Sequence, residues 1–171
     1  MDRLGFIHEK LDIKILILFI LRRLPGVVDR DTLSDFAQCD GGVGYFDFSD
    51  CLSELVDTGL VLEEEGGYRI SDKGAEAGET VESSLPFSVR KKAEKILAPE
   101  AERLRRLAML TAEHKDSNGN CMVTLAMNDG KGEVMHLKLL CAGDEQAKRI
   151  EKNFKRNAEA IYAQLVELLD K

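Results

Sequence analysis

The 171-residue chain has no tryptophan, three prolines and four cysteines. The cysteines, at positions 39, 51, 121 and 141, form no C-x-x-C and fit no zinc-ligand spacing. Each is expected to act as a small buried hydrophobe, the usual role of a free thiol. Long hydrophobic runs are missing too. The longest, Ile15 to Leu21, is far shorter than the roughly 20 residues of a membrane span. The start Met1-Asp2-Arg3-Leu4 has no secretory pattern, so a cytoplasmic protein with no membrane association is expected. Catalytic motifs are equally scarce. There is no G-x-x-x-x-G-K-[ST], no H-E-x-x-H and no G-x-S-x-G, and Gly41-Gly42-Val43-Gly44 lacks the lysine of a phosphate loop. The acids are scattered, with no pair singled out for acid-base work. The expectation is a protein that is not an enzyme and that holds no cofactor and no metal.

What is present is the composition of a globular protein, 44% hydrophobic and 32% charged. The net charge of −7 divides unevenly. Residues 1–86 carry 8 bases and 18 acids, a balance of −10, whereas residues 87–171 carry 16 and 13, a balance of +3. The break falls at Ser83-Ser84-Leu85-Pro86, which has turn and helix-stop chemistry. Two units, 1–86 and 87–171, are predicted, the second being a possible dimerisation or sensing unit.

In the first half, Ile13, Leu16, Ile17, Ile20, Leu21 and Leu24 mark one helical face, and Ile15, Leu18 and Phe19 cover most of the other. The pattern stops at Pro25-Gly26, and a helix apolar nearly all round must be central to its unit. Asp29 or Asp31 can cap a short helix that turns Leu33 and Phe36 inward. After the glycine-rich turn, a third helix is predicted from about Phe46 to Thr58, with Phe48, Cys51, Leu52, Leu55 and Val56 inside and Gly59 at the C′ position. Leu60–Glu64 and Tyr68–Ile70 read as strands joined at Gly66-Gly67. Ser71 or Asp72 can cap a further helix through about Ser84.

The segment from Cys51 to Val61, followed by Tyr68-Arg69-Ile70-Ser71-Asp72-Lys73-Gly74, resembles the recognition helix and wing of winged helix-turn-helix regulators. Leu11-Asp12-Ile13-Lys14-Ile15-Leu16-Ile17-Leu18 with Tyr45-Phe46-Asp47-Phe48 resembles a functionally uncharacterised bacterial winged-helix family of similar length. The resemblance covers most of the chain. It implies a regulator-like fold and brings no catalytic residue with it.

A recognition helix must meet DNA with its outward side chains. The outward positions are Asp47, Ser49, Asp50, Ser53, Glu54 and Asp57, and no Lys or Arg occurs between Val43 and Gly59. Glu63, Glu64 and Glu65 make the wing acidic as well, whereas DNA affinity is built chiefly on cations. Two functions follow. One is a regulator that binds double-stranded DNA through Arg22, Arg23, Arg30, Arg69, Lys73, Lys148, Lys152 and Lys155. The other is a protein-interaction module that docks a partner on Asp47, Asp50, Glu54 and Asp57 or through the second unit. Fold analogy favours the first, which is the function expected, and local charge favours the second, which is the alternative. A small-molecule sensor is a third class, with no residue-level support in the sequence.

The second half opens with a helix over Ser88–Ala98, and Pro99 suits a kink or a fresh start before Leu104, Leu107 and Ala108. Strands are predicted at Leu110–Lys115, Cys121–Asn128 and Gly132–Cys141, with Asn118-Gly119 as the first turn. Cys121, Val123, Leu125 and Met127 alternate inward, as do Met135, Leu137, Leu139 and Cys141. A three-residue loop, Asp129-Gly130-Lys131, would set these faces together, with Cys121 opposite Leu139 and only diagonal to Cys141. His114 then faces inward opposite Val123 while His136 points to the other face, so the two cannot share a metal. A last helix, about Asp144–Leu169, carries Ala147, Ile150, Phe154, Ala158, Ile161, Leu165 and Leu168 at helical spacing. This stripe can cover the sheet or pair with a second chain, and a homodimer is expected. Its bases suit i,i+4 pairs such as Glu151 to Lys155. The expected fold is α+β: an N-terminal winged helix-turn-helix, then a C-terminal helix–three-stranded antiparallel sheet–helix unit.

Overall fold

The computed structural model describes residues 6–7, 9–117 and 120–170. The fold is α+β, with six α-helices and two small antiparallel sheets among the described residues. Two compact units are present, Met1–Leu104 and Arg105–Lys171. No helix among the described residues is long and apolar enough to cross a membrane.

The first unit is built around α1 (Lys10–Arg23), in which every residue from Ile15 to Leu21 is buried. A helix with no polar face has to be enclosed, and α2 (Arg30–Ala37), α3 (Tyr45–Asp57) and α4 (Asp72–Val81) all pack on it. Each fully buried Leu, Ile or Phe contributes about 1.5–3 kcal/mol. Asp29 is the cap of α2: its carboxylate accepts the Thr32 amide at 2.9 Å, and this bond holds the carboxyl below its usual range. A short 3-10 turn, Gln38–Asp40, follows, and the Asp40 carboxylate accepts the amides of Phe6 at 2.6 Å and Ile7 at 2.9 Å. After α3 the chain turns at Gly59, whose φ of 70° lies in the left-handed region that glycine enters without strain.

Strands β1 (Val61–Glu64) and β2 (Gly67–Ile70) pair with Glu64 opposite Gly67. The turn is therefore Glu65-Gly66, one position earlier than the expected Gly66-Gly67. Val28 adds a bridge to β2, exchanging backbone hydrogen bonds with Tyr68 at 2.9 and 2.8 Å. Ser71 is the cap of α4, accepting the Gly74 amide at 2.9 Å. That helix ends at Val81, and Glu82–Ser84 tightens into a 3-10 turn.

Helix α5 (Phe87–Ala108) runs through Pro99 as one element. Val89, Ala93, Leu97 and Ala101 are buried in the first core together with the α1 residues. For that reason the first compact unit extends to Leu104, whereas the charge change occurs at residue 86.

In the second unit β3 (Leu110–Ser117), β4 (Asn120–Asn128) and β5 (Glu133–Cys141) form an antiparallel sheet in that order. His114 lies opposite Val123, as the alternation predicts. The expected turn residues Asn118 and Gly119 lie outside the described residues. The second hairpin differs from expectation. Asp129 closes a longer loop by accepting the amides of Lys131 at 2.8 Å and Gly132 at 3.0 Å, and a register shift follows between Met127 and Asn128. The faces are unchanged, but the register moves by two, so Cys121 sits directly opposite Cys141 and Val123 opposite Leu139. All four cysteines are unpaired thiols; Cys51, Cys121 and Cys141 are buried and Cys39 is half-buried. Helix α6 (Asp144–Leu169) buries Ala147, Phe154 and Ala158 on the sheet, chiefly over β3 and β4. Leu139, on edge strand β5, is therefore 41% exposed despite its inward parity.

Candidate recognition surface

The basic residues at the end of α1 point away from any open surface role. Arg22 donates to Glu82 at 2.6 Å and lies 3.7 Å from Glu79. Arg23 reaches Glu82 at 3.3 Å, Glu94 at 3.2 Å and the Phe19 carbonyl at 3.2 Å, with its guanidinium 3.4 Å above the Phe19 ring. The two side chains are only 21% and 27% exposed. A helix C-terminus favours cations, and here two arginines there share one carboxylate.

The other expected contacts in this unit are also engaged. Arg30 donates to the Ser49 hydroxyl at 2.5 Å. Arg69 grips Glu64 through two nitrogens at 2.9 and 2.6 Å, and this bond holds the guanidinium above its ordinary value. Lys73 donates to the Thr58 carbonyl at 3.1 Å, at the C-terminus of α3. Lys148 belongs to the second unit and pairs with Asp144 at 2.6 Å; Lys152 and Lys155, in the same unit, are exposed. Glu151, expected to pair with Lys155, turns instead to His114.

The acidic residues of α3 divide into two sets. Asp50 and Glu54 lie beside the start of α1, where Lys10 is 3.4 Å from Asp50 and 3.6 Å from Glu54, and Lys14 is 2.5 Å from Glu54. Lys14 and then Lys10 hold the Glu54 carboxyl below its usual range, and Asp50 holds the Lys10 amine above its own. Asp47 is half-buried, whereas Asp57 is exposed and lines a cleft of about 310 Å³ with Arg30, Ser49, Ser53, Glu63 and Tyr68. The sequence reading missed the neutralising lysines, because pairing across helices depends on tertiary placement.

Two aromatic side chains stand at the head of α3. Phe46 is 82% exposed and Tyr45 is 49% exposed, with ring centroids 5.9 Å apart at 79°, an edge-to-face contact. The apolar periodicity of α3 carried the signal for them: both fall outside its buried face of Phe48, Cys51, Leu52 and Leu55.

The second unit contains one polar clamp. His114 Nδ1 lies 2.6 Å from Glu151 and Nε2 lies 2.8 Å from Asp144, so β3 is fastened to α6 through both ring nitrogens. His136 neighbours Glu133 at 3.2 Å on the opposite face of the sheet. The two histidines do not converge. Among the described residues no group of three or more His, Cys, Asp or Glu side chains is placed to hold a metal ion.

Comparison with curated proteins and with solved structures finds no match. Residues 13–169 match the model described as a domain of unknown function, DUF4364. That match spans most of the chain, and the chain belongs to this family.

Proposed function

We propose that the first unit is a winged helix that docks a protein partner through the head of α3, in a regulator-like cytoplasmic protein. The order of α1, α2, α3, hairpin and α4, with Val28 bridging to β2, supports the winged-helix reading. The exposed Phe46 carries the docking reading. An aromatic anchor that becomes buried in a partner contributes about 1.5–3 kcal/mol. A phosphate-binding surface needs available cations, and Arg22, Arg23 and Arg69 are each held in ion pairs. The acids Asp57 and Glu63 in the cleft along α3 favour a partner that also carries basic groups.

The test combines duplex-DNA anisotropy over a salt series with photocrosslinking from position 46. The expected result is no salt-sensitive DNA binding, together with a crosslinked protein that a Phe46→Ser substitution in competitor chain fails to displace. Tight DNA binding that falls steeply with salt would overturn the docking reading and restore the DNA-binding one. The proposal includes a homodimer through Tyr162, Val166 and Leu169 of α6, which are 38%, 47% and 84% exposed. Sedimentation equilibrium should then give twice the 19.1 kDa chain mass; a monomer at high concentration would remove the dimer.

A further inference from the structure

The second unit holds an open pocket of about 290 Å³ at one end of its sheet. Met109, Leu110 and Met127 give it an apolar lining, and Arg106, Lys155 and Arg156 bring three cations to it. The one acid that lines it is Glu159, which lies 4.0 Å from Arg106.

The backbone of α6 is shaped around this pocket. Residues 155–160 all line it, although six consecutive residues of a regular helix spread over more than a full turn and cannot face one cavity. They do so here because α6 is broken at Asn157, where φ is −127° and ψ is 21°. Neither proline nor glycine lies within α6 to cause the break. Asn157 donates its side-chain amide to the Asn153 side-chain carbonyl at 2.7 Å, a link across the turn that precedes the break. The break therefore turns Lys155 and Arg156 to the same opening as Glu159 and Ala160.

We propose that this pocket binds a small organic monoanion, a carboxylate on a compact apolar body. The apolar lining disfavours a fully hydrated anion such as phosphate, and the excess of cations disfavours a neutral hydrophobe. A volume at the lower edge of the roughly 300–1,000 Å³ range of ligand pockets excludes a dinucleotide. The carboxylate competes with Glu159 for Arg106 and takes a charge-assisted bond from Lys155 or Arg156. This gives the second unit a ligand of its own, independent of any partner docked on α3.

The experiment is a ¹H–¹⁵N NMR titration of the full chain with hexanoate, with hexanol and inorganic phosphate as separate probes. Hexanoate should give saturable shifts gathered at residues 106–110, 127–128 and 155–160. The Lys155→Ala/Arg156→Ala variant should keep its amide dispersion and bind hexanoate about tenfold more weakly, as should wild-type chain with hexanol or phosphate. The proposal is overturned if hexanoate gives no saturable shift, or if the shifts scatter outside the pocket. Equal binding of hexanol, equal binding of phosphate, or an unchanged double variant would each overturn it as well.

Discussion

Arg22 and Glu82, 60 residues apart in sequence, meet at 2.6 Å with both side chains about three-quarters buried. Glu82 also holds Arg23, so one carboxylate neutralises two guanidiniums at the C-terminus of α1. Removing it leaves two partly buried cations with the more exposed Glu79 and Glu94 as their carboxylate partners. Glu82→Ala should therefore destabilise the first unit by about 1–3 kcal/mol, read as a lower urea midpoint with an unchanged slope. A midpoint equal to wild type would show that the arginines find other partners.

His114 makes the second unit sensitive to pH. Both ring nitrogens face carboxylates, an arrangement that requires both N–H groups and hence the imidazolium. Glu151 first, and Asp144 next, hold the imidazole above its ordinary value. A histidine raised in the folded state contributes stability that is complete below its unfolded value of about 6.5 and is lost as pH rises through the folded value. Asp144 acts in the opposite sense: Lys148 and then His114 hold its carboxyl low, so its contribution disappears as pH falls through that lowered value. Amide-exchange protection in β3 and α6 should decline as pH rises above about 6.5, and His114→Gln should flatten the decline. An imidazole titration midpoint at or below the ordinary value would sink this assignment.

The Cys121 thiol donates to the Asp116 carboxylate at 3.2 Å, and this bond with burial pushes the thiol up to about 11. Asp116→Asn should return it toward the ordinary value of about 8.5 and speed alkylation by iodoacetamide under mildly alkaline conditions. Because Cys141 is its direct cross-strand neighbour, diamide should close a disulfide between the two in that variant, with a mass loss of two hydrogens. Faster alkylation without any disulfide would place the sulfurs too far apart to bond.

Gly74, in the first turns of α4, has no room for a methyl group, since a Cβ there would collide with the Leu60 carbonyl. Gly74→Ala would ordinarily favour a helix, yet here it should destabilise by about 2–4 kcal/mol by forcing α4 away from the chain that enters β1. A thermal melt at or above the wild-type temperature would contradict the packing.

The helices and strands were legible in the sequence because periodicity and punctuation agree. The apolar run of α1 stops at Pro25, Asp29 caps α2, and Gly59 closes α3. Alternation likewise fixed the faces of β4 and β5, but it cannot separate two registers that differ by two residues, because both keep the same side chains inward. The choice fell to Asp129 and to the register shift beside Met127, which are local hydrogen-bond geometry rather than pattern. The charged surface was the least legible part. Arg22 and Arg23 read as exposed bases until the 3-10 turn after α4 brought Glu82 to them, and Lys10 and Lys14 acquired Asp50 and Glu54 only through the packing of α1 on α3. Phe46 reads in the sequence only as the start of the third helix, and its exposure emerged once the helix was placed.

Helix α5 supplies the last wall of the first core through Val89, Ala93, Leu97 and Ala101. During synthesis, then, the chain emerging from the ribosome cannot close that core when α4 is finished. That core stays open until Ala101 has cleared the exit tunnel, by which time Pro99 has also been made. Nascent chains arrested near residue 86 should consequently engage chaperones more than those arrested well beyond residue 108, where all four buried α5 residues of the first core are available.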